Sequence, residues 1–201
     1  MILQFIRRWR VQRYWERKWR TPNYRPDWLG DAPRPFVLTG FEKGWLKPGL
    51  TVLEIGCGLG TSAAWMAEQG AQVLAMDVSQ HVIEEARKKF PNRPGLEFQC
   101  ADVCAPGKIS KVFDVVIDTG CLQHIPASLR DCYRDNLLAW SRTGSRFVVT
   151  MHKRERSAGE RLAEIQALFS AHFELVHTEE VPTANTEKLS NLNSVFHFVR
   201  R

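Results

Sequence analysis

The tightest constraint on this chain is a nine-residue stretch, Leu53-Glu54-Ile55-Gly56-Cys57-Gly58-Leu59-Gly60-Thr61, in which a short apolar run meets three glycines at alternate positions. Glycine reaches backbone conformations closed to other residues and lets a ligand approach the main chain. The residues after Thr61 carry a helical apolar pattern that stops at Gly70. A helix start offers unpaired N–H groups and the positive end of the helix dipole. The stretch therefore predicts a strand, a tight turn and a helix arranged to receive a negatively charged group, carboxylate and phosphate alike.

The rest of the chain repeats the strand–helix alternation. Strands are predicted over 51–55, 73–76, 96–100, 113–117, 146–151, 173–177 and 194–199. Helices are predicted from Thr61, from a Ser79 cap with Val82, Ile83, Ala86 and Phe90 on one face, over about 127–141, and around Leu162, Ile165, Leu168 and Phe169. Seven strands interleaved with helices predict an α/β fold, a doubly wound sheet with helices on both faces.

Acids stand where a ligand of such a sheet would lie. Asp77 closes the second predicted strand, 21 residues after Gly56, and is placed to accept from both hydroxyls of a ribose. Asp102 follows the third strand and Asp118 ends the fourth. Glu54 sits two residues before the first glycine, where it would repel a pyrophosphate but would suit the ammonium of an amino-acid zwitterion. The position three beyond Gly58 is Thr61, where a dinucleotide fingerprint wants glycine. Any single acid could be a helix cap or a solvated loop residue; four at strand ends beside the glycine turn make a site.

The first residues differ in kind. Residues 1–25 hold eight Lys or Arg against one acid, Glu16, so the arm carries +7 of a chain total of +6 and the remainder sums to −1. Trp9, Trp15, Trp19 and Trp28 interleave with these cations, and residues 21–36, with four prolines, predict an extended connection. At 100° per residue, Ile2, Phe5, Ile6 and Trp9 share one face and Val11, Trp15 and Trp19 roughly the opposite one, which argues against a single straight amphipathic helix. The favoured reading is a lid whose aromatics wall a substrate pocket; nucleic-acid docking and a membrane-surface or partner contact are weaker alternatives. No apolar run is long enough for a membrane span. The N-terminal residues lack the pattern of a secretory signal. The five cysteines form no CxxC pair, and the bland reading of Cys100 and Cys104 as packing residues is preferred to a redox or soft-metal pair. A cytoplasmic protein with reduced thiols is expected.

These residues resemble a family. VLEIGCGLGTSAAWMAEQGAQVLAMDVS is similar to the first two motifs of class I S-adenosylmethionine-dependent methyltransferases, CADV at 100–103 to their adenine loop, and FDVVIDTGCLQHIP at 113–126 to their fourth motif. The resemblance covers about residues 50–200. It implies a Rossmann-like three-layer sandwich, a seven-stranded, mostly parallel sheet with the last strand antiparallel, and S-adenosylmethionine as cofactor. It implies that Gly56, Cys57, Gly58 and Gly60 wrap the methionine moiety and that Glu54 reaches its amine. Asp77 would hold the ribose with Val78 and Ser79 beside it, Asp102 and Val103 would meet adenine, and Asp118 and Thr119 would lie near the transferable methyl. Residues 25–35, RPDWLGDAPRP, resemble the PWD-x-G-x-P segment of the thiopurine, thiol, halide and tellurite methyltransferases, which lids the site together with a preceding helix. Asp27 precedes Trp28 here, reversing that order, so only Trp28 is carried over as a cofactor-site residue. The organisation that follows is a basic aromatic arm and helical lid over 1–45 and a methyltransferase domain over 46–201.

Methyl transfer to a nucleophile is an in-line displacement for which the protein mainly aligns the reactants and excludes water. Acceptors that must lose a proton also need a base. His124, a few residues past the fourth strand, is the candidate base or orienting group, because imidazole titrates near neutrality; the bland alternative is a helix cap. Asp118 is the second candidate near the reacting carbon. Cys121 reads as packing. No ligand cluster for a metal is visible, so metal-independent transfer is expected. The expected function is methylation of a small molecule at sulfur, nitrogen or another soft atom. The alternatives are an RNA or protein methyltransferase docking through the arm, a non-catalytic module, and a dinucleotide-dependent oxidoreductase. No separate target-recognition domain, Pro-Cys nucleophile or Asn/Asp-Pro-Pro-aromatic motif supports the nucleic-acid alternative. The oligomeric state is not legible.

Overall fold

The computed structural model describes residues 2–26, 29–105, 109–152, 157–182 and 192–201. The chain order is α1 (Ile2–Trp19), α2 (Pro35–Glu42), β1 (Thr51–Ile55), α3 (Thr61–Glu68), β2 (Gln72–Asp77), α4 (Gln80–Lys89), β3 (Leu96–Cys100), β4 (Phe113–Asp118), α5 (Arg130–Ala139), β5 (Ser141–His152), α6 (Ala158–Phe169), β6 (Phe173–Pro182) and β7 (Leu192–Arg200), with two single 3₁₀ turns between β4 and α5. The strands form one seven-stranded sheet in the order β3-β2-β1-β4-β5-β7-β6, parallel except that β7 runs against both its neighbours.

Alternation along the strands sends successive side chains to opposite faces. In β1, Leu53 and Ile55 face α5 and α6 with Tyr133, Leu137, Ile165 and Phe169. Val52 faces α2, α3 and α4 with Phe36, Val37, Met66, Ile83 and Ala86. Both faces are covered, so the central strands read as continuous apolar runs. On the α6 side Phe147, Phe169, Phe173 and Phe198 form an aromatic cluster; the Phe147 and Phe169 rings lie 5.1 Å apart and nearly edge-on.

The chain leaves β1 toward β2 and β3, then returns to β4 on the other flank. The crevice between the carboxyl ends of β1 and β4 is thus a topological switch point, where open α/β sheets bind ligands.

Three expectations change. The predicted helix over 127–141 is a 3₁₀ turn followed by α5, and β5 already begins at Ser141. There Ser141 Oγ donates to the Leu137 carbonyl and Phe113 N–H to that of Trp140, joining the helix end to the sheet. The helix expected to be capped by Thr61 has Gly60 at its cap, at φ 74°. The arm, argued above not to be a single straight amphipathic helix, forms one 18-residue helix, α1. Its two apolar stripes meet different surroundings. Val11, Trp15 and Trp19 face the domain, while Ile2, Phe5 and Trp9 are exposed.

Candidate active site

The glycine turn is held open by its own geometry. Gly56 lies at φ 72°, and a Cβ there would stand 3.1 Å from that of Cys121. Gly60, at φ 74°, has the Phe98 ring where a Cβ would go, at 2.4 Å. Asp77, at the end of β2, ties the turn to the neighbouring strand. Its Oδ2 accepts from Gly58 N–H at 3.1 Å and its Oδ1 from Ser79 N–H at 3.0 Å. Burial pushes the Asp77 carboxyl up to about 6, against the pull of those N–H groups.

Two clefts open at these strand ends. The larger, about 740 Å³ and continuous with solvent, is floored by Ile55, Met76, Val78, Ala101 and Val103, edged by Asp77 and Asp102, and roofed by Val11, Trp15 and Trp19 of α1. Thr119, Gly120, Cys121, His124, Ile125 and His152 close its far end. The smaller, about 360 Å³, shares Gly56 and Thr119 with the first and runs under the arm between Leu29, Gly30, Ala32 and Arg34 and the domain residues Glu54, Cys57, Thr61 and Ser62.

Glu54 is the electrostatic centre of the smaller cleft. It is 2% exposed, and its Oε2 has no hydrogen-bond partner. Burial pushes its carboxyl up to about 8; the Arg34 charge and the Ala63 N–H oppose this, and Asp77 adds to it. Burial in turn pulls Arg34 down while Glu54 holds it up. A buried acid with an unused oxygen, beside a guanidinium, matches the ammonium and carboxylate of an amino-acid zwitterion. The apolar floor between Asp77 and Asp102 suits a nucleoside, whose hydroxyls and amine need acceptors at the rim. A pyrophosphate would bring further negative charge beside the carboxyl groups of Asp77 and Asp102.

The arm closes over this site through specific contacts. Arg8 Nε meets Asp102 Oδ2 at 2.6 Å, and Asp102 Oδ1 accepts from Cys104 N–H at 2.8 Å. Glu16 Oε2 accepts from Ser79 Oγ at 2.7 Å and from His81 N–H at 3.3 Å. Burial raises the Glu16 carboxyl, but hydrogen bonds from Ser79 and Arg20 outweigh it and hold it low. Trp15 packs edge-to-face on His124, with centroids 4.9 Å apart.

The far end is built by distant segments. Thr119 Oγ1 donates to the Gly56 carbonyl at 2.8 Å, locking the β4 loop to the glycine turn. His152, at the end of β5, has Nδ1 2.5 Å from Asn193 Oδ1 of β7, and its N–H donates to Gln123 Oε1 at 3.0 Å. Its Nε2 lies beside Gly120, within 3.2 Å of where a Cβ would stand. Burial pushes the thiols of Cys57 and Cys121 well up, with nearby carboxylates adding to the shift, so both are held protonated.

Of the residues singled out from sequence, Gly56, Gly58, Asp77, Val78, Asp102, Val103, Thr119 and His124 line the larger cleft, and Glu54 and Cys57 the smaller. Three line neither. Gly60 lies under Phe98, and Ser79 caps α4 while donating to Glu16. Asp118 is wholly buried, with Oδ1 accepting from Gly120 and Cys121 N–H, and Oδ2 from Leu122 N–H and the Tyr133 hydroxyl at 2.7 Å. Those bonds make Asp118 an anchor of the loop after β4; burial lifts its carboxyl to about 6 despite these donors. Trp28 and Asp27 lie outside the described residues. Sequence reasoning missed Arg34 and His152. Arg34 sat unremarked inside the proline-rich stretch, and His152 carried no motif; their roles come from Glu54 and Asn193, which are distant in sequence.

Residues 52–141 match the family model described as "Methyltransferase domain". A curated relative, the 2-heptyl-1-hydroxyquinolin-4(1H)-one methyltransferase of Mycobacteroides abscessus, is 27% identical over 127 residues, 62% of this chain and 55% of that protein. The chain spans about half the length of the curated relatives it matches. Among solved structures, one described as "Conversion of a Disulfide Bond into a Thioacetal Group during Echinomycin Biosynthesis" superposes with a TM-score of 0.78 at 23% identity, covering 94% of this chain and 92% of that one. The magnesium protoporphyrin IX methyltransferase of Synechocystis PCC 6803 with bound SAM superposes with a TM-score of 0.68 at 21% identity over 95% and 97%. At these identities the superpositions establish a shared fold.

Proposed function

We propose that this chain carries a class I S-adenosylmethionine-dependent methyltransferase domain and moves the methyl group of that donor to a small-molecule acceptor at sulfur, nitrogen or another soft atom. The observation that carries the reading is Glu54: a buried acid with an unused oxygen beside Arg34, in a cleft that joins the nucleoside-sized one at Gly56 and Thr119. When bound, the donor supplies a methyl already activated by its sulfonium.

The chain's own groups do the rest. Glu54 and Arg34 hold the ammonium and carboxylate of the methionine end, and the Gly56–Gly58 backbone curves around it. Asp77 accepts from the ribose hydroxyls, with Val78 beside them, and Asp102 and Val103 border the adenine. Arg8 would exchange part of its contact with Asp102 for contact with the base edge. The arm of residues 1–45 acts as the lid of the domain over 46–201: Val11, Trp15 and Trp19 exclude water and present aromatic surface to a flat or cationic acceptor.

A small acceptor fits a roofed cleft of this size. The exposed arginines Arg10, Arg13 and Arg17 lie on the side of α1 away from Trp15 and Trp19, so a polymer docked on them would not reach the reacting end.

Two imidazoles face the acceptor. With Asn193 Oδ1 accepting from Nδ1 of His152, the basic nitrogen of that ring is Nε2, beside Gly120 at the cleft. His152 then takes the acceptor's proton, and His124, packed on Trp15, orients the acceptor. Calorimetric titration with S-adenosylhomocysteine and with NADH tests the assignment: the thioether binds and NADH does not. Preferential binding of NADH overturns it. With that settled, a screen of thiols, amines and heteroaromatics with radiolabelled donor identifies the acceptor.

A further inference from the structure

The outer face of α1 has no partner among the described residues, and its chemistry is specific. Ile2 is 77% exposed, Leu3 69%, Phe5 67% and Trp9 47%, in a molecule whose other large apolar side chains are mostly buried. Arg7, Arg10, Arg13 and Arg17 are exposed on the same helix, and the Arg13 guanidinium lies 4.9 Å above the Trp9 ring. At 100° per residue the exposed apolar side chains and these arginines occupy one half of the helix. The other half holds the domain through Val11, Trp15 and Trp19, with Glu16 bonded to Ser79. Among the described residues, the outer half of the helix has no apolar surface to fold against.

We propose that the outer face of α1 docks on an anionic lipid surface, with Ile2, Phe5, Ile6 and Trp9 entering the headgroup–acyl boundary and Arg7, Arg10, Arg13 and Arg17 meeting lipid phosphates.

Charge and shape together select this occupant. A second copy packed through the same face would set arginine against arginine, while the one acid of the helix, Glu16, is already bonded to Ser79 and Arg20. A nucleic acid would satisfy the arginines and stack on Trp9, but would leave Ile2, Leu3 and Ile6 without a use. A bilayer surface satisfies both sets: aliphatic and aromatic side chains partition into the boundary region, tryptophan favours that depth, and cationic side chains gain from anionic headgroups. No described helix is long and apolar enough to cross a membrane, so the helix would lie in the surface plane.

The experiment is co-sedimentation of the full chain with phosphatidylcholine vesicles, with and without about a third phosphatidylglycerol. Binding to the anionic vesicles at least about tenfold stronger than to the neutral ones is expected, falling in about 1 M salt, where screening reaches only about 3 Å. Two outward-facing double variants, Ile2→Ser with Phe5→Ser and Arg10→Glu with Arg13→Glu, should each reduce vesicle binding by about tenfold or more. Both should keep the wild-type affinity for S-adenosylhomocysteine measured without vesicles, which shows the lid intact and separates this proposal from the donor assignment. Equal binding to neutral and anionic vesicles overturns the proposal, as does binding that survives either double variant. So does absence of vesicle binding combined with a concentration-dependent dimer dispersed by the Ile2/Phe5 variant, or with RNA binding abolished by the Arg10/Arg13 variant.

Discussion

The two ends of the cleft are built in different ways. The end proposed for the donor comes from consecutive strand ends: Gly56 to Gly60 after β1, Asp77 closing β2, Asp102 after β3. Each acid stands within two residues of its strand's end, so a short local segment places it. The acceptor end is assembled from segments far apart in sequence: Trp15 from the arm, His124 from the turn after β4, and His152 from the end of β5, held by Asn193 on β7. The first is fixed by local backbone geometry and the second by how the sheet and arm come together. Substitutions should therefore separate them, with Asp118, behind the loop that borders both, as the hinge of the comparison.

The largest effect is expected there. Replacing Asp118 with Ala removes the acceptor for three backbone N–H groups and the Tyr133 hydroxyl, all but that of Cys121 fully buried. Leaving such donors unmet costs about 4 kcal/mol or more, so the variant should lose most of its stability in urea unfolding. Should it keep wild-type stability and donor affinity while losing turnover alone, Asp118 belongs with the reacting groups and the comparison fails.

The next effect isolates the acceptor end. His152→Asn should lower kcat by about a hundredfold for an acceptor that must lose a proton, with the affinity for S-adenosylhomocysteine unchanged. For a thiolate acceptor, which needs no base, the loss should nearly vanish. A variant that weakens donor binding instead would show that His152 serves the donor end.

The same division explains what was legible in the sequence. The three glycines, the acids at strand ends and the seven-strand alternation follow from short-range rules, and they give the doubly wound sheet and the position of Asp77 beside the turn; the antiparallel strand came only with the family resemblance. Asp118 was readable as a strand-end acid, but its orientation was not: the donors that turn it inward include Tyr133, fifteen residues on. Arg34 acquires meaning only because α2 brings it over Glu54, and His152 only because β7 pairs with β5. The two stripes of α1 were visible as a conflict with a simple amphipathic helix; that one stripe faces the pocket and the other stays exposed depends on the docking of Glu16 and Arg8 on the domain.

The smallest effect probes the donor end through protons. Glu54→Gln removes the charge expected to meet the donor's ammonium and should weaken S-adenosylhomocysteine binding about tenfold to a hundredfold, with the fold intact. In the wild-type protein the Glu54 carboxyl, raised to about 8, is mostly protonated at pH 7 without ligand. An ammonium beside it favours the ionised form, so binding should release up to about one proton, read as a buffer-dependent heat in calorimetry. The sign for stability follows. A carboxyl raised from 4.5 to about 8 contributes stability that is fully present below pH 4.5 and is lost as the pH rises through about 8. Wild-type protein without ligand should therefore lose thermal stability relative to Glu54→Gln across that window, and bound S-adenosylhomocysteine should flatten the difference. His197, held low by burial, contributes the opposite slope on the acid side but cancels in the comparison between the two proteins. Proton uptake on binding, or a difference that steepens with ligand, would mean that Glu54 meets no cation and that the amine lies elsewhere.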